Sequence, residues 1–144
     1  MNVSASKLNM SEQSEFYSIR VLINHPSWSV AEITARLGDE PDYSWSAGVG
    51  EKTATMWSRV SDTTGQRLFF NEVNEVLKWI QTKGSFSQEL KSSGGSLSVI
   101  VELPGAVNLG DALEPESMQL AISLGVSVGV EVFPNMRRPA VTGE

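Results

Sequence analysis

From Phe16 to Ile23 apolar and polar residues alternate, with Tyr17, Ile19, Val21 and Ile23 on one side and Ser18 and Arg20 on the other. This period of two predicts a half-buried strand. Asn24-His25-Pro26 ends it. Ser29-Val30-Ala31-Glu32 then has the spacing of a capping box, in which the Ser29 hydroxyl accepts from the Glu32 amide and the Glu32 carboxylate accepts from the Ser29 amide. A helix is expected to open there. Trp28 before the cap and Ile33 after it match a hydrophobic staple, Val30, Ile33 and Leu37 share a face, and Gly38 offers a left-handed stop.

Aromatic and β-branched residues over Tyr43 to Val49 and Thr53 to Val60 predict two strands joined by a turn at Gly48 and Gly50, and Asp62-Thr63-Thr64-Gly65 turns the chain again. Val73, Val76, Leu77 and Ile80 form a helical stripe with Asn71 as N-cap and Gly84 as stop; Glu72 and Glu75 are expected on its solvated side. Ser85 and Gln88 suggest a second capping box, opening a short helix with Phe86 and Leu90 before Gly94-Gly95. Leu97, Val99, Val101 and Leu103 alternate as a strand, as do Val126, Val128, Val130 and Val132. Between them Pro115 and Glu116 suit a helix start, Met118, Ala121 and Ile122 supply its apolar face, and Gly125 ends it. The order β-α-β-β-α-(α)-β-α-β predicts an α+β fold: a ferredoxin-like split β-α-β core extended by an extra helix and strand, with helices on one face of a mixed or antiparallel sheet. The aperiodic stretches 1–14 and 135–144 read as mobile tails around a single domain at 15–134.

Composition narrows the function classes. The 144 residues, 40% hydrophobic, suit one core. No cysteine is present, which removes structural disulfides and the common zinc clusters and makes a cytoplasmic location the expectation. No window approaches the roughly 20 apolar residues of a spanning helix, and residues 1–15 lack the apolar run of a secretory signal. A net charge of −6 argues against nucleic acid, whose phosphates need clustered Lys and Arg; only Arg137 and Arg138 adjoin. The acidic balance suits solubility and a basic protein partner.

The strand SIRVLINH, the helix Ala31 to Gly38 with Pro41 close behind, the strand centred on Trp57 and the closing LGVSVGVEVF together resemble the bacterial domain-of-unknown-function family numbered 4279, over most of residues 16–133. The resemblance implies no catalytic residue. It suggests a small bacterial protein of the kind discussed as a partner or immunity protein in toxin systems.

SAGVGEKT, residues 46–53, nearly spells a phosphate-binding loop, but Glu51 separates Gly50 from Lys52, Trp45 stands where the first glycine belongs, and a strand follows where a helix should open. It reads as a turn. His25 is the one histidine and a candidate acid or base, against the plainer reading of a solvated turn residue; Asp111 and Glu114 are the matching carboxylates. No Gly-x-Ser-x-Gly elbow supports a serine nucleophile. Asp39, Glu40 and Asp42, like Asp111, Glu114 and Glu116, lack calcium-loop spacing, so no metal or cofactor is expected. Of four tryptophans, Trp28 serves the staple and Trp57 is expected in the core. Trp45 and Trp79 are the interface candidates, with Asp39, Glu40 and Asp42. Two function classes follow: a non-catalytic binding protein, immunity- or antitoxin-like, with a basic protein partner, or a small carboxylate-dependent hydrolase or isomerase. A small-ligand sensor is a third, and open strand edges could pair two copies as a homodimer.

Overall fold

Strand β1 (Ser18–His25) lies at the centre of a five-stranded mixed sheet in the computed structural model, which describes residues 17–61, 68–105 and 109–134. The expected tails at 1–14 and 135–144 and the turn at Asp62–Gly65 fall outside those residues. Around β1 stand β2 (Tyr43–Trp45), β3 (Thr55–Ser61), β4 (Ser96–Pro104) and β5 (Ser127–Phe133), in the spatial order β2-β3-β1-β4-β5. All neighbours are antiparallel except β4 and β5, which run parallel through the crossover helix α4 (Pro115–Leu124). Helices α1 (Val30–Leu37), α2 (Phe69–Gln81) and α3 (Phe86–Ser92) complete the described elements. The α+β class and the element order read from the pattern are those observed. No helix among the described residues is long and apolar enough to cross a membrane.

Register places Ile23 opposite Trp57 and Leu97, and Val21 opposite Val99, so these side chains share one face of the sheet. They form one core with Ile33 and Leu37 of α1, Val73, Leu77 and Ile80 of α2, Leu90 of α3, and Ala121 and Leu124 of α4. All four helices therefore pack on that face. Burial of each such side chain contributes roughly 1.5–3 kcal/mol. Trp57 is fully buried, as expected, and its indole N–H donates to Thr34 Oγ1 at 3.1 Å, so even its polar atom is satisfied.

The α1 capping box forms as the spacing requires, with Glu32 N to Ser29 Oγ and Ser29 N to Glu32 Oε1 both at 3.1 Å, and Gly38 closes the helix at φ 78°. Other local expectations yield to the tertiary structure. Strand β2 stops at Trp45 because the backbone leaves the extended region at Gly48 and Gly50, with φ of 84° and 60°. Helix α2 begins at Phe69, ahead of Asn71. The two added residues bring Phe69 into the buried stripe, and Glu72, i+3 from Phe69 and i−4 from Val76, is buried, not solvated. The Ser85–Gln88 box does not form; Ser85 Oγ donates instead to Glu89 Oε2 at 2.6 Å. In α4 the inward face is Ser117, Ala121 and Leu124, while Met118 and Ile122, expected inside, are 47% and 79% exposed. Ser117 and Ala121 are small, and they let α4 sit close to α2, which the longer side chains would prevent.

Among the described residues the opposite face of the sheet carries no helix. At its centre Arg20 Nε donates to Glu102 Oε2 at 2.9 Å, Arg20 Nη2 donates to the same oxygen, Arg20 Nη1 reaches Ser58 Oγ at 3.3 Å, and Ser18 Oγ donates to Glu102 Oε1 at 2.7 Å. The network ties β3, β1 and β4 together. Glu102 has only 8% of its side chain exposed, and Arg20 is the cation that pairs with it there. Replacing Arg20 by Met alone is expected to lower the unfolding free energy by about 2 kcal/mol. The double replacement Arg20→Met, Glu102→Met recovers most of that loss, and urea unfolding of the double-mutant cycle measures both.

Candidate functional site

His25 sits at the end of β1 and is buried, contrary to the expectation of a solvated turn residue. The bend after Pro26 brings two main-chain donors back onto it: Nδ1 accepts from Ser27 N at 3.0 Å and Trp28 N at 2.8 Å. With Nδ1 accepting, the ring proton belongs on Nε2, which lies 2.8 Å from Ser93 Oγ and donates to it. Ser93 Oγ in turn donates a hydrogen bond to Glu89 O at 2.6 Å. This is the reverse of a serine nucleophile, which would give its proton to the imidazole. The Trp28 ring stacks on His25 at 4.4 Å between centroids, and the Arg36 guanidinium covers Trp28 at 4.1 Å. Desolvation lowers the His25 pKa below its ordinary 6.5, with Glu32 opposing and Arg36 adding a smaller push in the same direction. Every polar atom of the ring is engaged in holding the fold.

The same knot explains SAGVGEKT. Ser46 Oγ accepts from Val30 N at 3.0 Å, Ala47 N donates to Thr55 Oγ1 at 2.9 Å, and Thr55 Oγ1 donates to Trp28 O. The loop thus caps the start of α1 and joins it to β3. Lys52, the residue that resembled a phosphate ligand, lies over the Trp45 ring at 4.0 Å.

Two helices frame the candidate site. A groove of 270 Å³ between α2 and α4 is lined by Asn71, Asn74, Glu75, Glu114, Glu116 and Ser117. Ser117 Oγ donates to Asn74 Oδ1 at 2.7 Å and fixes the two helices at its floor. Glu114 occupies the N-cap of α4 and Glu116 its first turn, where a carboxylate answers the helix dipole. Glu75 has no such role; it lies in the middle of α2, with Lys78 at 3.5 Å. Among the described residues no group of His, Asp or Glu could hold a metal ion.

The sequence-derived candidates are dispersed by this fold. Asp111 caps α2 from a distant loop, its Oδ2 accepting from Phe70 N at 3.0 Å and its Oδ1 from Ala112 N at 2.8 Å. Glu114 alone of the acid–base candidates lines the groove. Asp42 Oδ2 accepts from Val60 N at 2.6 Å, and Glu40 O accepts from Arg59 at 2.8 Å, so this turn braces β2 against β3, with Asp39 at its start and half-buried. Trp45 is half-buried, its indole N–H bound to Ala54 O at 3.1 Å and its ring edge-on to Tyr43. Trp79, also half-buried, lies on α2 beneath Lys83. Trp45 shares the helix-free face with Met56, so the two interface candidates stand on different layers. Asn71, Asn74 and Ser117 were not legible as site residues; their one signal is polar spacing beside a helical stripe. Ser85 first, then Arg36, holds the Glu89 carboxyl below the usual carboxylate range, tying α1 to α3.

Comparison of the chain with protein-family models, curated proteins and solved structures returns no match, so the assignment rests on the chain's own residues.

His25→Ala is expected to cost about 2–4 kcal/mol, from lost packing and two main-chain donors left without an acceptor. Because the folded pKa lies below the unfolded 6.5, the unfolded chain binds the extra proton. The histidine's contribution is complete above pH 6.5 and is lost as pH falls below it toward the folded value. Urea midpoints between pH 8 and pH 5 test this: the wild type loses stability on acidification more steeply than His25→Ala.

Proposed function

We propose that the protein is a non-catalytic binding module that holds a basic protein, in the manner of an immunity protein or antitoxin, through the groove between α2 and α4. The observation that carries this reading is the groove's lining: Glu75, Glu114 and Glu116 come from two helices beside the amides of Asn71 and Asn74, and no Lys or Arg is among them. Carboxylates in that setting accept paired hydrogen bonds from an arginine fork or pair with the point charge of a lysine. The net charge of −6 adds long-range attraction for a cationic partner.

Exposure favours recognition over acid–base catalysis. Glu114 and Glu116 are exposed, and the Glu75 side chain is 44% exposed. A hydrolase or isomerase using two carboxyls separates their pKa values in a pocket that excludes water, and a small-ligand sensor buries its ligand against apolar walls. Water reaches all three carboxylates of this groove. The proposed kinship with family 4279 supports the same reading, since it brings partner proteins and no catalytic residue. A cytoplasmic location fits a chain without cysteine.

Affinity capture from the native cell, read by mass spectrometry, is expected to recover a stoichiometric partner with a basic surface. Replacing Glu75, Glu114 and Glu116 together by Gln weakens that complex roughly tenfold and flattens its salt dependence. Recovery of no stoichiometric protein, or of one whose binding is unchanged by the triple replacement, contradicts the proposal.

A further inference from the structure

The free edge of β5 differs from the other edge of the sheet. Strand β2 is only three residues long, which is one way sheets avoid pairing with a second chain. Strand β5 is seven residues, Ser127-Val128-Gly129-Val130-Glu131-Val132-Phe133, and contains no Lys and no Pro. Its partner on one side is β4, and among the described residues it ends the sheet on the other. Val130 and Val132 are 50% and 56% exposed, and α4, which packs on this strand, turns Met118 and Ile122 outward. These four are most of the exposed large hydrophobics among the described residues. Among the described residues, the outward main-chain donors and acceptors of this edge have no strand partner over roughly 23 Å, at about 3.3 Å per residue, beside exposed valines.

We propose that this edge is the two-fold interface of a homodimer, in which β5 pairs antiparallel with β5 of a second copy about Val130. The occupant is identified by the strand's own symmetry. Every residue-centred register keeps the valines of both copies on the helix-bearing face, and three of them pair five or more residues of the strand. Centred on Gly129, Val128 meets the second copy's Val130, so two valine pairs form, and Ser127 opposes Glu131. Centred on Glu131, two valine pairs again form, and the only charges of the strand meet head-on. Centred on Val130, three valine pairs form, because Val128 meets Val132 at both ends, and each Glu131 lies opposite Gly129, the one residue without a side chain. A one-residue slip from any of these would turn the valines of one copy away from those of the other. The isologous arrangement satisfies the outward main chain of both copies at once. It joins two five-stranded sheets into a continuous one and leaves the α2–α4 groove outside the strand pairing.

Sedimentation equilibrium from micromolar to submillimolar concentration is expected to give a particle of twice the 15.7 kDa chain mass. Val130→Lys raises the dimer dissociation constant roughly a hundredfold or more, while Tyr43→Lys on the opposite edge leaves it unchanged. Since the chain has no cysteine, single replacements report the register without relying on that variant. Val130→Cys forms a disulfide-linked dimer on mild oxidation, Val128→Cys alone does not, and a mixture of Val128→Cys with Val132→Cys forms the mixed dimer. A wild type that stays monomeric throughout, or a Val128→Cys chain that cross-links to itself as fast as Val130→Cys, overturns the proposal.

Discussion

Burial of His25 at the end of the central strand sets where the neighbouring elements begin. Its Nδ1 collects the amides of Ser27 and Trp28, which turns the chain sharply out of β1 and delivers Ser29 as the cap of α1. Its Nε2 engages Ser93, and through Ser93 the last turn of α3, which fixes the entry to β4 on the other side. The space is tight: a Cβ at Gly95 would stand 2.7 Å from His25 Cδ2. A charged imidazole in this place would carry a proton on Nδ1 facing two N–H groups, so the fold requires the neutral ring. The histidine that chemistry would first nominate as a catalyst is therefore committed to architecture, as is the glycine-rich loop that Thr55 and Ser46 bind to the same knot.

With those groups committed, the sheet separates two environments. One face is closed by four helices. The other is held by the Arg20–Glu102 pair, which ties β1 to β4. In the helix layer, carboxylates gather where α2 and α4 meet. The small residues Ser117 and Ala121 bring those helices together, and the same close approach that aligns their polar shoulders into a groove also leaves Met118 and Ile122 outside the core. The groove and the exposed apolar side chains of α4 are thus two results of one packing choice.

What was legible in the sequence is what is local. The Ser29–Glu32 box lies within one turn, the strand alternations are their own signal, and Trp57 in an apolar strand had no better place than the core. What was not legible depends on distant partners. Asp111 caps a helix 41 residues away, which displaced Asn71 from that role. The burial of His25 follows from donors supplied by a bend and a serine from another helix. In α4 two faces were apolar enough to go inside, and only the approach of α2 chooses the one with small side chains. The groove draws on Asn74 and Ser117, which carry no motif, and so could not be found without the crossing of the two helices.

The central claim is that His25 is a neutral, Nε2-protonated structural residue, and its single imidazole can be observed directly by nitrogen-15 NMR of the histidine-labelled protein. At pH 6.5, where a solvated imidazole is about half charged, the account predicts one neutral ring with a protonated Nε2 and a bare, accepting Nδ1. A ring that titrates at its ordinary value, or that carries its proton on Nδ1, contradicts it.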